Sequence, residues 1–320
     1  MRGENMKVLF MGTPEFAVPC LEQLINDQYN IVGVVTQPDK PKGRGHKLAA
    51  PPVKEYAMKH DIPVFQPVTL KNEAFKEQLV SLQPDLIVVV AYGKILPKYI
   101  LDYPKYGCIN VHASLLPKYR GAGPIQWCII KGESITGVTT MYMDEGLDTG
   151  DMILKKEITI GDNETAGELH DRLSVLGAEV LHDTLELIQK GVAPRVPQEH
   201  ESATYAPMLD KRIALIDWTK SAQEIKNLVR GLNPWPVAYS YYQNQVMKIY
   251  SVDVLPGDKQ VLPGTIIEYI PGQGLIVQAG DGNRVAVWEI QFAGGKRMTV
   301  DEYLRGHIIE YGEILKNNAS

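Results

Sequence analysis

Between Met6 and about residue 190, short apolar runs alternate with segments of helical period, and this alternation limits the fold more than any other feature. The runs KVLFMG, IVGVVT, PVF and DLIVVVAY are separated by FAVPCLEQLIND, PVKEYAMKH and EAFKEQLVSL. Strand and helix in repeated succession predict a parallel sheet with crossover helices, an α/β class. Leu86 to Val90 is apolar throughout, as a central strand covered on both faces requires. A ligand of such a sheet sits beyond the carboxyl ends of its strands.

The rhythm ends after TAGELHDRLSVLGAEVLHDTLELIQKG, a long helical pattern. VAPRVPQEHESATYAP then brings three prolines and no periodicity, which reads as a linker. Beyond it, one helix candidate, SAQEIKNLVRGLN, precedes closely spaced runs rich in Val, Ile and Tyr, the pattern of a small barrel or sandwich. The expected division is residues 1–190, a linker at 191–207 and a second domain at 208–320.

Bulk properties narrow the function. A net charge of −5 argues against a generally basic nucleic-acid binder and leaves room only for a local basic patch. Three cysteines without C-x-x-C spacing indicate neither a disulfide framework nor a zinc site, so a reducing, cytoplasmic setting and no metal are expected. The first apolar run is too short for a signal peptide or a membrane span, and no membrane partner is expected.

Three stretches carry candidate chemistry. In CINVHA, Asn110 and His112 share strand parity and project to one face, while Ile109 and Val111 fill the other. A lone histidine is more often a satisfied core residue. A second polar side chain on its face and a Gly/Pro loop immediately after it shift the balance towards a site. MDEGLDTGD supplies Asp144, Glu145, Asp148 and Asp151 around two glycines; it reads as a solvated turn unless one carboxylate reaches His112 and fixes its tautomer. Its spacing does not fit a calcium loop.

Ser114 lies outside a nucleophile elbow, and Cys108 has no evident activating group. Asparagine, histidine and carboxylate together suit polarisation of a carbonyl oxygen during attack by an amine, where each oxyanion donor is worth roughly two to three orders of magnitude in rate. TQPDKPKGRGHKLAAPPV is a loop with Lys40, Lys42, Arg44, His46 and Lys47. Such concentrated base on an acidic chain points to a phosphate-bearing partner. MGTPEF lacks the glycines of a dinucleotide fingerprint and reads as a proline-started helix after a tight turn.

CINVHASLLPKYRGAGPIQW followed by TGVTTMYMDEGLDTGDM resembles the signature of the folate-dependent formyltransferases. The resemblance places the family's catalytic asparagine, histidine and aspartate on Asn110, His112 and Asp148. It implies a Rossmann-like formyltransferase domain followed by an OB-like barrel. The donor it implies is 10-formyltetrahydrofolate, with Ser114, Leu115, Leu116 and Pro117 in the folate-binding segment.

VVTQPDKPKGRGHKL, VVVAYGKILP and IDWTKSAQEIKNLVRGLNPWP are closer still to members whose acceptor is initiator methionyl-tRNA. Lys42, Arg44 and Lys47 are then the expected tRNA-binding residues, with the barrel contacting the tRNA and a monomer expected. Two readings compete. One is a formyltransferase or formyl hydrolase acting on another amine or on formylfolate; the other is a tRNA-binding module without turnover.

Overall fold

The computed structural model describes residues 6–42, 47–258 and 260–316. The chain divides into two compact units. The first runs to Gly121 and adds 135–158 and 170–206; the second takes 122–134, 159–169 and the chain from Pro207.

In chain order the elements up to the long helix are β1 (Lys7–Gly12), α1 (Val18–Asn26), β2 (Asn30–Val35), β3 (Lys40–Lys42), β4 (Lys47–Ala49), α2 (Pro52–Lys59) and β5 (Val64–Phe65). They continue with α3 (Glu73–Leu82), β6 (Leu86–Val90), α4 (Lys98–Leu101), β7 (Cys108–His112), α5 (Pro124–Ile130), β8 (Ile135–Tyr142), β9 (Met152–Thr159) and α6 (Ala166–Gln189). Seven strands form one sheet in the order β5-β2-β1-β6-β7-β8-β9. The first five are parallel, and β8 runs antiparallel to β7. The expected parallel-rich sheet is therefore present.

Strand order leaves β1 in both directions, towards β2 and towards β6, which makes β1 the topological switch point of the sheet. All five residues of β6 are buried, as their unbroken apolar character requires. Alternate residues Leu9, Met11, Ile87, Val89 and Cys108 face one side and pack with Phe75 and Leu79 of α3 and Ile100 of α4. Each fully buried Leu or Ile of that row contributes about 1.5–3 kcal/mol. On the other side a Cβ added at Gly177 of α6 would lie 3.2 Å from Val111 Cγ1 and 3.7 Å from Cys20 Sγ, so helix, strand and α1 meet there. Asn72 caps α3 by accepting from the Phe75 N–H at 3.1 Å.

Two local expectations change. MGTPEF does not start its helix at Pro14: a 3-10 turn, Glu15–Ala17, comes first, and Pro19 occupies the start of α1. The basic segment expected as loop contains an antiparallel ribbon, β3 with β4. Backbone bonds make that ribbon without a buried row of side chains, so it leaves no hydrophobic pattern to read.

In the second unit α7 (Ala222–Gly231) precedes β10 (Tyr239–Tyr242), β11 (Gln245–Leu255), β12 (Ile266–Ile270), β13 (Gly274–Gln278), β14 (Arg284–Phe292), β15 (Met298–Thr299) and α8 (Val300–Leu304). The strands form an antiparallel sheet in the order β10-β11-β14-β13-β12, with β15 added to β14. Ile225 and Val229 of α7 pack on Met247, Ile249, Val285 and Val287, closing a separate core. Ser221 and Glu224 form a reciprocal capping box at the start of α7. No helix among the described residues is long and apolar enough to cross a membrane.

Candidate active site

β7 delivers Asn110 and His112 to the end of the sheet on the same face as Cys108. Their registers are fixed on both sides: Asn110 lies between Val89 and Met141, and His112 lies opposite Thr139. The loop between β8 and β9 brings Asp148 to them. Asn110 Nδ2 donates to Asp148 Oδ1 at 3.3 Å, and His112 Nδ1 lies 3.7 Å from Asp148 Oδ2. The Gly121 N–H donates to that same Oδ2 at 2.8 Å. One carboxylate thus spans an amide, an imidazole and a backbone donor while only 12% exposed. Of the four carboxylates in MDEGLDTGD, Asp148 is the one that reaches the histidine; Asp144 turns back to Gly146 N and Thr149 Oγ1.

The second ring nitrogen sets the histidine's tautomer. His112 Nε2 lies 2.9 Å from the Tyr119 carbonyl, which can only accept, so Nε2 carries a proton. Nδ1, facing Asp148, is left to take or give one, and the carboxylate is placed to balance the charge. Asn110 uses one N–H on Asp148, and its carboxamide carries a second.

Backbone geometry at this site is unusual. Asp148 has φ 53°, in the left-handed region that aspartate enters more readily than most side chains but that is still uncommon for a non-glycine residue. Gly121, at φ 113°, passes so close to the 206 carbonyl that an added Cβ would sit 2.8 Å from it.

The segment Ser114 to Pro117 follows directly. Thr139 Oγ1 donates to the Ser114 carbonyl at 2.7 Å and accepts from the Leu116 N–H at 3.1 Å. The buried Ser114 hydroxyl donates to the Lys118 carbonyl, and Leu116 packs with Met141 and Met152. Leu115 and Pro117 are half-buried and give the segment its accessible side chains. Lys155 donates to the Leu116 carbonyl, and burial pulls its ammonium below the usual lysine range.

Among the expected phosphate-binding residues, Lys42 and Lys47 pair across the ribbon; their side chains and Arg44 lie outside the described residues. The ribbon's approach is fixed at Asp39, which pairs with Lys54 at 2.9 Å and accepts from Gln66 at 2.7 Å. These two partners, Lys54 foremost, hold the Asp39 carboxyl below its usual range.

Tyr119, Gly121 and Thr139 were not singled out from sequence. Only Gly121, inside the run RGAGP, carried a local signal. Among the described residues no group of His, Cys, Asp and Glu is arranged to hold a metal ion.

A polar constellation at the carboxyl end of a parallel sheet strand, without a nucleophile in reach of a base, defines an α/β protein equipped to polarise a carbonyl during group transfer. Comparison with known proteins gives that class a family. Residues 5–185 match the model of formyl transferase, and residues 208–308 match that of the formyl transferase C-terminal domain. The chain belongs to the formyl transferase family.

It is 59% identical over 310 residues to the methionyl-tRNA formyltransferase of Alkaliphilus oremlandii, covering 97% of this chain and 99% of that one. Among solved structures, the N-formyltransferase from Helicobacter canadensis, in complex with folinic acid and dTDP-3-aminofucose, shares the fold at TM-score 0.67. The two are 20% identical, with 92% of this chain and all of that one covered. HypX from Aquifex aeolicus matches 94% of this chain at TM-score 0.60 and 16% identity, and this chain spans about half its length.

Proposed function

We propose that this enzyme transfers the formyl group of 10-formyltetrahydrofolate to the α-amino group of methionyl initiator tRNA. The observation that carries the reading is the junction of Asn110, His112 and Asp148 at the end of β7, in a chain 59% identical over nearly its full length to a methionyl-tRNA formyltransferase. The donor lies along Ser114 to Pro117, where Leu115 and Pro117 offer apolar surface and the carbonyls of the segment are held by Thr139 and Lys155.

The methionyl amine attacks the formyl carbon; a C–N bond forms and the carbonyl oxygen becomes an oxyanion. The second N–H of Asn110 stabilises that oxygen as charge develops, and His112 joins it as a donor once Nδ1 is protonated. His112 Nδ1 takes the proton the amine loses, with the Asp148 carboxylate beside it. On collapse of the intermediate the bond from carbon to the folate nitrogen breaks, and that nitrogen regains the proton. An α-amine with a pKa near 8 supplies enough neutral nucleophile at physiological pH.

Lys42, Arg44 and Lys47 contact tRNA phosphates, and the second domain, 208–320, holds the body of the tRNA. Residues 1–190 form the catalytic domain, with 191–207 as linker, and the enzyme acts as a cytoplasmic monomer. The test is transfer of labelled formyl to methionyl initiator tRNA, beside methionyl elongator tRNA and glycinamide ribonucleotide. Rapid transfer to the initiator alone is expected. Transfer to glycinamide ribonucleotide, or hydrolysis of the donor without an acceptor, overturns the assignment in favour of another amine or of water.

A further inference from the structure

Arg120 is almost completely buried, yet among the described residues no carboxylate pairs with it. Its Nε and Nη2 donate to Gln198 Oε1 at 3.1 and 2.7 Å, and His200 Nδ1 lies 3.4 Å from both terminal nitrogens. A buried guanidinium that meets only neutral acceptors costs stability, because burial removes hydration that no counter-charge replaces. Gln198 uses what Arg120 fixes. Its Nε2 donates to the carbonyls of Asp148 at 2.9 Å and of Gly150 at 2.8 Å.

Those two carbonyls lie at the left-handed residue Asp148 and two residues beyond it, on the segment that carries the carboxylate. The same arginine sits in the loop that supplies the Gly121 donor, and its backbone pairs with Thr204 and Ala206. Only a carboxamide can accept from a guanidinium at one end and donate to two carbonyls at the other. A glutamate at 198 would pair with Arg120 more strongly while setting a negative oxygen against both carbonyls. Glutamine thus satisfies both ends of the contact, where glutamate would satisfy only the end facing Arg120.

We propose that Gln198, oriented by Arg120, is a positioning residue that holds Asp148 in its left-handed conformation, so that one carboxylate serves Asn110, His112 and the Gly121 N–H together. This rests on the reading that Asp148 acts in formyl transfer.

The experiment measures kcat, both KM values and thermal stability of the full chain for Gln198→Glu, alone and combined with Asp148→Asn. In the wild-type background kcat falls about 10- to 100-fold, the loss expected of a misaimed group, while both KM values and the melting temperature hold. In the Asp148→Asn background the same substitution has no further effect. An unchanged kcat for Gln198→Glu beside an impaired Asp148→Asn overturns this inference alone, as does an equal fold-loss in both backgrounds. A fully active Asp148→Asn overturns the underlying reading of the site as well. If the glutamate variant melts early, Gln198→Asn, one methylene too short to bridge Arg120 and both carbonyls, is read by the same criteria.

Discussion

Cys108 and His112 share a strand and a face, and their surroundings give them opposite uses. Cys108 packs under α4, its Sγ aimed at the Ile100 carbonyl, and burial pushes the thiol up to about 12. His112 stands at the strand end between a carbonyl and a carboxylate. Sequence parity put both on one face and could not rank them, because rank depends on where the strand leaves the core. Gln198 was beyond sequence reasoning for a related reason: its partners are backbone carbonyls 48 and 50 positions away. The cysteine environment makes a prediction. All three cysteines are buried, so iodoacetamide at pH 8 leaves the folded enzyme unlabelled and active, whereas the urea-unfolded chain labels at all three. Rapid labelling of folded Cys108 with loss of transfer would make the thiol a reacting group.

At the scale of elements, those with an apolar period were legible. α3 spans Glu73–Leu82, the run EAFKEQLVSL, because its amphipathic face and Asn72 cap agree. β6 followed from continuous apolar character and β7 from alternation. The β3–β4 ribbon was not legible, nor were β15 and α8, which are too short to show a period.

Docking of α6 on α1 adds a charge contact. His182 Nδ1 lies 2.7 Å from Asp27 Oδ2, and that hydrogen bond, outweighing desolvation, raises the imidazole above its usual value. The stabilisation is full below the unfolded pKa of about 6.5 and is lost as pH rises through the higher folded value. The pair is partly exposed, so its contribution is modest. Urea midpoints of wild type and His182→Ala should differ more at pH 5.5 than at pH 8.5; a difference that widens with pH would contradict the pairing.

For the whole molecule, two cores built on different logic follow from the change of pattern along the chain. Alternating strands and helices give the parallel-rich sheet; closely spaced strands after Pro207 give the antiparallel one. The grouping of 122–134 and 159–169 with the second unit was not legible, since chain proximity, not periodicity, decides it. What unites the molecule functionally is the claim that three side chains at the end of β7 carry formyl transfer to methionyl-tRNA. The measurement that tests it most directly is single-turnover transfer to methionyl initiator tRNA by wild type, Asn110→Ala, His112→Ala and Asp148→Asn, with melting curves beside each. The account predicts losses of about 10²–10³ for each with folding intact, as for removal of an oxyanion donor. Transfer at the wild-type rate by any one of them, or activity that falls only as the melting temperature falls, would contradict it.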